Sequence, residues 1–521
     1  TPAPLAEARP APANPREVAE ALASDLATRK FDQAWARLDD EFQKGFSAQK
    51  LGDQFDPMSA DLGAFKQVIV TREEEGPGGA KKIFVTCEYE RAGLPLMVVV
   101  DQSLRVSGLR PVTPKREQLQ QAAREFVELM AASQWAKLVE RFDGTMRKAL
   151  TEEKLAAIVG QLKSERGEFR QILSMRSKRG YVDVDHAFEK SNAVIRVAFD
   201  QQLRVNGLHF REGWNTPGYV TPKSFTEKEV QIGTEKLPLP ATLTVPSGKG
   251  PFPAVVLVHG SGPNDRDESS GPNKIFKDLA WGLASRGVAV LRFEKRTEQY
   301  RGKLQDEDIP TAKEESIDDT VTAVDLLLKT ANIDPRRIIV AGHSLGAELA
   351  PRIAQADPRV HAIVLLAGPT RSEGQIKLDQ TRYLVGPWGV SKEEAEKLIR
   401  EAEQIAARLD SPDLKPDEVV DGIAGQYWLD LRDHAGKLVA PQLKIPILVL
   451  QGERDYLVTM VDFEGWKKAL QGKPNATFKS YPGLNHHFMF GKGPSVPKEY
   501  EELNHVPEQV VEDIAAWVRS H

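Results

Sequence analysis

The chain has 521 residues, a length that at roughly 150 residues per domain anticipates three or four domains and excludes a single small module. Lysine plus arginine number 70 against 75 aspartate plus glutamate, a formal charge of −5, with 40% hydrophobic and 28% charged residues; this balance lacks the basic excess of a nucleic-acid or anionic-membrane binder. Cys87 is the only cysteine, which excludes intrachain disulfides, thiolate zinc sites and protein-ligated iron–sulfur clusters and leaves it a small core side chain.

From Thr1 to Pro15, ten of fifteen residues are proline or alanine, a composition that reads as an extended tether. A start at threonine rather than methionine suggests a removed export signal, so the expected location is periplasmic or secreted. Apolar runs such as Leu96 to Val100 and Ile445 to Leu450 are strand-sized, short of the roughly 18 residues a membrane span requires. No membrane span is expected.

Self-comparison finds an internal repeat. Val99-Val100-Asp101-Gln102-Ser103-Leu104-Arg105-Val106-Ser107-Gly108-Leu109 recurs 99 residues later as Ala198-Phe199-Asp200-Gln201-Gln202-Leu203-Arg204-Val205-Asn206-Gly207-Leu208. Gly63-Ala64-Phe65 matches Gly167-Glu168-Phe169, and Trp35 and Phe42 match Trp135 and Phe142. Residues 16–112 and 117–212 are therefore expected to be tandem copies of one domain. Each opens with helical periodicity (Val18, Leu22, Leu26; Leu119, Phe126, Leu129). Each closes with β-rich segments, Lys82 to Tyr89 and Leu96 to Val100, then Tyr181 to Phe188 and Ala193 to Phe199, which predicts small α+β units. Neither copy gathers a recurring histidine, carboxylate and nucleophile.

Past a proline-rich hinge near Pro217 and Pro222, residues 225–521 change rhythm. An opening hairpin is predicted at Val230 to Gly233 and Ala241 to Val245. Short apolar strands follow at Ala254 to Val258, Val288 to Phe293, Ile338 to Ala341, Ala362 to Leu366, Ile445 to Leu450 and Thr477 to Tyr481. Helices are predicted between them at Lys274 to Ser285, Glu315 to Thr330, Leu345 to Gln355, Phe463 to Leu470 and Val506 to Val518. Buried strands alternating with helices predict a mostly parallel sheet covered on both faces. Between Leu366 and Ile445 lie helix-rich residues without a predicted strand, read as a helical cap at about 370–440 over the carboxyl ends of the strands.

Ile338-Ile339-Val340-Ala341-Gly342-His343-Ser344-Leu345-Gly346 is strand, then Gly-x-Ser-x-Gly, then the start of a helix. That context is what a nucleophile elbow requires, and it makes Ser344 the candidate nucleophile. A serine hydroxyl needs a histidine base and an orienting carboxylate. Strand Ile445 to Leu450 ends in Gln451-Gly452-Glu453-Arg454-Asp455, and the loop after the next strand holds Asn485-His486-His487. Asp455 is preferred to Glu453 because Tyr456-Leu457-Val458 can anchor its loop, and His486 is preferred to His487. His505 and His521 read as surface residues. A mononuclear metal site from His486, His487 and Asp455 would leave the elbow unexplained, so no metal and no cofactor are expected.

A tetrahedral intermediate also needs two amides aimed at its oxyanion. Leu345 N–H follows the nucleophile directly. The other is assigned to His259-Gly260-Ser261-Gly262-Pro263, with Ser261 N–H the choice and Gly262 the fallback. His259 reads as a buried structural residue, and His343 either so or as a wall of the substrate site with Gly262. The run Asp265-Arg266-Asp267-Glu268 reads better as a loop support, Arg266 pairing with Glu294 or Asp267, than as a substrate contact.

These motifs, with Leu291-Arg292-Phe293-Glu294-Lys295-Arg296 and Gly483-Leu484-Asn485-His486, resemble those of bacterial α/β hydrolases of the serine esterase and acyl-hydrolase type. The resemblance covers about residues 225–521. It implies the α/β-hydrolase fold with a helical cap, preceded here by two tandem α+β domains. It also implies that the aspartate of Gln-Gly-x-x-Asp and the histidine of Asn-His complete a triad, which supports Asp455 and His486. Glu294 stands where that family would have aspartate. The repeat resembles small domains of unknown function that precede some such hydrolases.

The function expected is a serine carboxylesterase acting on small acyl esters. Acyl-CoA thioester or peptide and amide hydrolysis by the same residues is the alternative, since fold and triad do not separate these reactions. A reading of another class is a binding or scaffolding protein whose tandem domains hold a polymer, a partner or a second copy of the chain. Tyr427 and Trp428, with Tyr383 and Trp388, either face an apolar acyl or aryl group or pack the cap onto the sheet.

Overall fold

The computed structural model describes residues 13–521 except 46, 60, 61, 63, 91, 92, 113, 179, 302 and 305–308; nearly all of the proline-rich tether, and Gly63 of the repeat, lie outside the described residues. The chain divides between Gly213 and Trp214 into two units.

In the first unit the same order of elements occurs twice. Helices Pro15–Ala27, Phe31–Ala36, Asp40–Gly45 and Ala48–Ser59 precede an antiparallel meander of Phe65–Glu75, Lys81–Tyr89, Gly93–Val100 and Val106–Pro111. Helices Arg116–Ala131, Trp135–Glu140, Gly144–Ala149 and Glu152–Arg166 precede Phe169–Lys178, Tyr181–Phe188, Asn192–Phe199 and Val205–Glu212. The repeated Asp-Gln-x-Leu-Arg-Val segment makes the same turn in both. Asp101 Oδ1 accepts from the Ser103 and Arg105 amides, and Asp200 Oδ1 from those of Gln202 and Arg204. Leu104 and Leu203 close the turns at φ 58° and 62°. Val18, Leu22 and Leu26 are buried against one sheet, and Leu119, Phe126 and Met130 against the other. Cys87 lies in the first of these cores, where burial pushes its thiol up to about 12.

The first and last strand of each meander were not predicted. They are edge strands, and Phe65–Glu75 ends in an exposed, charged stretch that breaks the alternation a buried strand would show.

The second unit holds an eight-stranded sheet: β1 (Phe225–Gly233), β2 (Pro238–Pro246), β3 (Phe252–Val258), β4 (Ala289–Phe293), β5 (Ile333–His343), β6 (Ala362–Leu366), β7 (Ile447–Gly452) and β8 (Ala476–Tyr481). The spatial order is β1-β2-β4-β3-β5-β6-β7-β8, with β2 antiparallel to both neighbours and the other pairings parallel. Alternate residues point to opposite faces, so each apolar run feeds two cores. Val256, Val340, Leu365 and Val449 pack with Leu327, Leu349 and Trp466 on one side. Val255, Ile339, Val364 and Leu448 pack with Phe276, Leu279, Val510 and Ile514 on the other.

The architecture of this unit differs from the sequence reading at its entry segment and in its cap. The segment expected as a hinge is bonded to this unit: Trp214 Nε1 donates to Asp278 Oδ1 at 2.7 Å and the Tyr219 hydroxyl to Val506 O at 2.7 Å. The cap is built on helices Glu373–Trp388, Lys392–Leu409 and Gly425–Asp433 but also carries a strand pair, Val419–Val420 with Ile423–Ala424. Asp421 and Gly422 turn it, at φ 53° and 77°, a two-residue reversal that Asp-Gly favours.

Candidate active site

Ser344 stands between β5 and helix Leu345–Ala356 at φ 55°, ψ −120°, a backbone conformation L-residues rarely adopt. Its amide donates to Leu366 O at 2.9 Å, holding the turn to β6. The flanking glycines leave no room for side chains. A Cβ on Gly342 would lie 2.0 Å from Gly346 O, and one on Gly346 would lie 2.2 Å from Val258 O. The motif is thus the packing condition for running a helix back beneath β3 from the end of β5.

The loops after β7 and β8 bring Asp455 and His486 together, with His486 Nδ1 donating to Asp455 Oδ2 at 2.6 Å. Asp455 Oδ1 accepts from the Leu457 and Val458 amides at 2.8 and 2.9 Å, and Oδ2 also accepts from Gln451 Nε2 at 3.1 Å. Both groups are buried. Glu453, by contrast, is exposed and accepts from the Ser480 hydroxyl. The His487 ring packs on Tyr500 at 4.5 Å between centroids, and burial holds its pKa well below the usual histidine value.

His259 is buried between Phe276 and Phe293, where burial lowers it to about 4. His505 is not the surface residue expected. Its Nδ1 lies 3.0 Å from the buried Asp278, a partner 227 positions away that no local pattern announces. His521 is exposed, with Nδ1 on Trp517 O at 3.0 Å.

The glycine loop after β3 is held by the charged run that follows it. Glu268 Oε1 accepts from the Gly260 amide at 2.6 Å, and Asn264 Nδ2 donates to the carbonyls of Gly260, Ser261 and Gly262, each at 3.2 Å. Gly262 sits at φ 78° with open space where a Cβ would be. Arg266 Nε donates to Glu294 Oε1 at 2.8 Å and its Nη1 to Glu229 Oε2 at 2.6 Å, while Asp267 is taken by Arg292 and Lys274. Every member of the run therefore has a supporting contact, with Asp265 Oδ1 accepting from the Ser269 amide.

His343 joins the two halves of the site. Its Nε2 donates to His486 O at 2.9 Å, its Nδ1 lies 3.0 Å from Glu268 Oε2, and its ring is 4.7 Å from that of His486 between centroids. Burial opposes charge on both partners, yet the His343 cation and the Gly260 amide hold Glu268 at about 2, and Glu268 holds His343 above its usual value. A carboxyl depressed on folding stabilises fully above its unfolded value near 4.5, and that stability is lost as pH falls toward 2. A histidine raised on folding stabilises below its unfolded value near 6.5, and that is lost as pH rises through the folded value. Thermal unfolding across the acid and neutral range should therefore show the wild type more stable than Glu268→Gln by about 2 kcal/mol between these two values, with the gap closing on either side. A gap independent of pH would mean that the two groups do not form a charged pair.

The cap aromatics are packed. Trp428 Nε1 donates to Val420 O at 3.0 Å, and the Tyr427 hydroxyl to Glu315 Oε2 at 2.5 Å. Trp428 also lines, with Glu348, Arg371, Glu373, Leu431 and Lys437, a cavity of about 100 Å³. Tyr383 stacks on Tyr456, centroids 4.9 Å apart, next to Asp455, whereas Trp388 is half exposed.

Strand order, elbow and cap together define an α/β hydrolase. Residues 250–492 match the family described as serine aminopeptidase, S33, and residues 123–208 match a family described as protein of unknown function. The chain is 36% identical over 401 residues to Esterase EstD of Thermotoga maritima, the match spanning 75% of this chain and 93% of that protein. It belongs to this family of α/β-hydrolase esterases and is a carboxylic ester hydrolase. Solved structures similar to it include an esterase from Pyrococcus furiosus (19% identity, 60% of this chain and 97% of that one, TM-score 0.38). Another is a puromycin-hydrolyzing peptidase of Mycobacterium tuberculosis (15% identity, 87% and 53%, TM-score 0.40). No helix among the described residues is long and apolar enough to cross a membrane.

Proposed function

We propose that the protein hydrolyses small carboxylic esters through an acyl-enzyme on Ser344, with His486 as base and acid and Asp455 as its orienting carboxylate. The observation that carries this reading is the His486 Nδ1 to Asp455 Oδ2 hydrogen bond at 2.6 Å. Because Nδ1 keeps its proton and donates it as a hydrogen bond to the carboxylate, the neutral ring has its lone pair on Nε2, the form able to take a proton from serine. Ser344 Oγ attacks the ester carbonyl carbon as its proton passes to His486 Nε2. The tetrahedral oxyanion is received by the Ser261 and Leu345 amides, the second at the positive end of a helix. Collapse breaks the bond to the alkoxy oxygen, which leaves as alcohol with the proton from His486. Water, deprotonated by the same nitrogen, then releases the acid and frees Ser344.

A fluorophosphonate probe tests this directly, because it phosphonylates an activated serine. The expected result is one adduct, found by peptide mass spectrometry on Ser344, with p-nitrophenyl ester hydrolysis lost in proportion to labelling. Turnover that survives full labelling, or an adduct on another residue, would exclude Ser344 as the nucleophile.

A further inference from the structure

Lys295 lies just beyond β4 and is 1% exposed. A buried ammonium is tolerated only where its charge is paired and its protons are used. Its Nζ donates to Gly260 O at 2.9 Å and lies 3.0 Å from Glu315 Oε1. Glu315 is itself buried, and its other oxygen accepts from the Tyr427 hydroxyl of the cap. It is carried on a single π-helical turn, Lys313–Ile317, a local distortion found often at functional sites. The end of β4, this turn and the cap thus converge on one backbone carbonyl of the glycine loop.

That carbonyl matters because of what it is bonded to. In a trans peptide the C=O of one residue and the N–H of the next share a plane and point in opposite directions. Fixing Gly260 O on one side therefore fixes the direction of Ser261 N–H on the other. The peptide sits against the elbow, since a Cβ on Gly260 would come within 3.1 Å of Ser344 Cβ. Glu268 holds the Gly260 amide at 2.6 Å, so the residue is gripped at its N–H by a buried anion and at its C=O by a buried cation. Asn264 also reaches Gly260 O, but at 3.2 Å and with its amide divided among three carbonyls. The Lys295 contact is the charge-assisted one, and it also polarises the peptide so that Ser261 N–H becomes a stronger donor.

We propose that Lys295, held by Glu315 and Tyr427, is a positioning residue for ester hydrolysis that aims the Ser261 N–H at the oxyanion. This rests on the reading of Ser344 as nucleophile and Ser261 as oxyanion donor.

The test is the triple variant Lys295→Met, Glu315→Leu, Tyr427→Phe, which removes all three polar partners and so leaves no uncompensated buried charge. Its expected behaviour is a folded protein whose kcat on a p-nitrophenyl ester falls about 10- to 100-fold with KM within about threefold. Its affinity for a trifluoromethyl ketone, which forms an oxyanion on the serine, should weaken by the same factor as kcat. A merely structural ion pair would change thermal stability and leave both quantities alone. A folded variant with kcat and ketone affinity within about threefold of wild type overturns the proposal. If the triple variant does not fold, Lys295→Gln carries the same test: a parallel loss of kcat and ketone affinity is expected, and unchanged values overturn it. Failure of the underlying reading is distinct, appearing as wild-type protein that takes no fluorophosphonate adduct on Ser344.

Discussion

Asp455→Asn is expected to lower kcat for ester hydrolysis about 10⁴-fold while the protein stays folded. Asparagine has nearly the same shape, and its carbonyl oxygen can keep the two amide bonds from Leu457 and Val458. The change falls on the other side of the group, where Oδ2 accepts hydrogen bonds from His486 Nδ1 and Gln451 Nε2. An amide nitrogen there is a donor. It can satisfy His486 only if Nδ1 gives up its proton, which moves the proton to Nε2 and blocks the atom that accepts from Ser344 in the proposed mechanism. Steady-state kinetics beside thermal unfolding measure this. A folded variant within about tenfold of wild-type kcat would mean that Asp455 does not set the His486 tautomer.

Gly346→Ala is expected to cost more than about 3 kcal/mol of stability, enough to leave much of the protein insoluble. The added methyl would lie 2.2 Å from Val258 O and 2.7 Å from His259 O, both backbone atoms of the β3 end. Helix Leu345–Ala356 cannot retreat, because on another side a Cβ position of the cap residue Gly436 is only 2.1 Å from Glu348 O. The helix is therefore wedged between sheet and cap. Gly160→Ala is the matched control, since that helical glycine has nothing within 4 Å of its Cβ position and should gain rather than lose stability. Urea denaturation of the soluble fraction reads both. A wild-type midpoint for Gly346→Ala would show slack between helix and strand that the distances do not contain.

Much of this protein can be read without coordinates. Strands β3, β4, β6 and β7 are short apolar runs buried on both faces, and each coincides with a predicted strand to within about two residues. The Gly-x-Ser-x-Gly segment predicts its own geometry, because the two glycines answer local collisions with β3 and with the first turn of the helix. The repeated Asp-Gln-x-Leu-Arg-Val segment likewise encodes a turn closed by its own aspartate. Even the missed strand pair in the cap carried a signal, Asp421-Gly422, that the surrounding helical composition masked.

What composition and spacing left open is pairing across distance. The sequence prefers Asp455 to Glu453 in one loop and His486 to His487 in another, but the contact itself, Asp455 on His486 with Glu453 at the surface, is made by the packed loops. Nothing local to Leu291-Arg292-Phe293-Glu294-Lys295-Arg296 announces the partners of Lys295: Gly260 and Glu315 come from the glycine loop and a π turn, and Tyr427, which bonds Glu315, from the cap. His505 finds Asp278 from the far end of the chain. Strands, helices and turns follow from periodicity and side-chain bonds within a few residues, so the sequence by itself determined them. Buried charges are placed by the need to be paired wherever the fold brings a partner, which is a condition on the folded molecule and decided only by its tertiary structure.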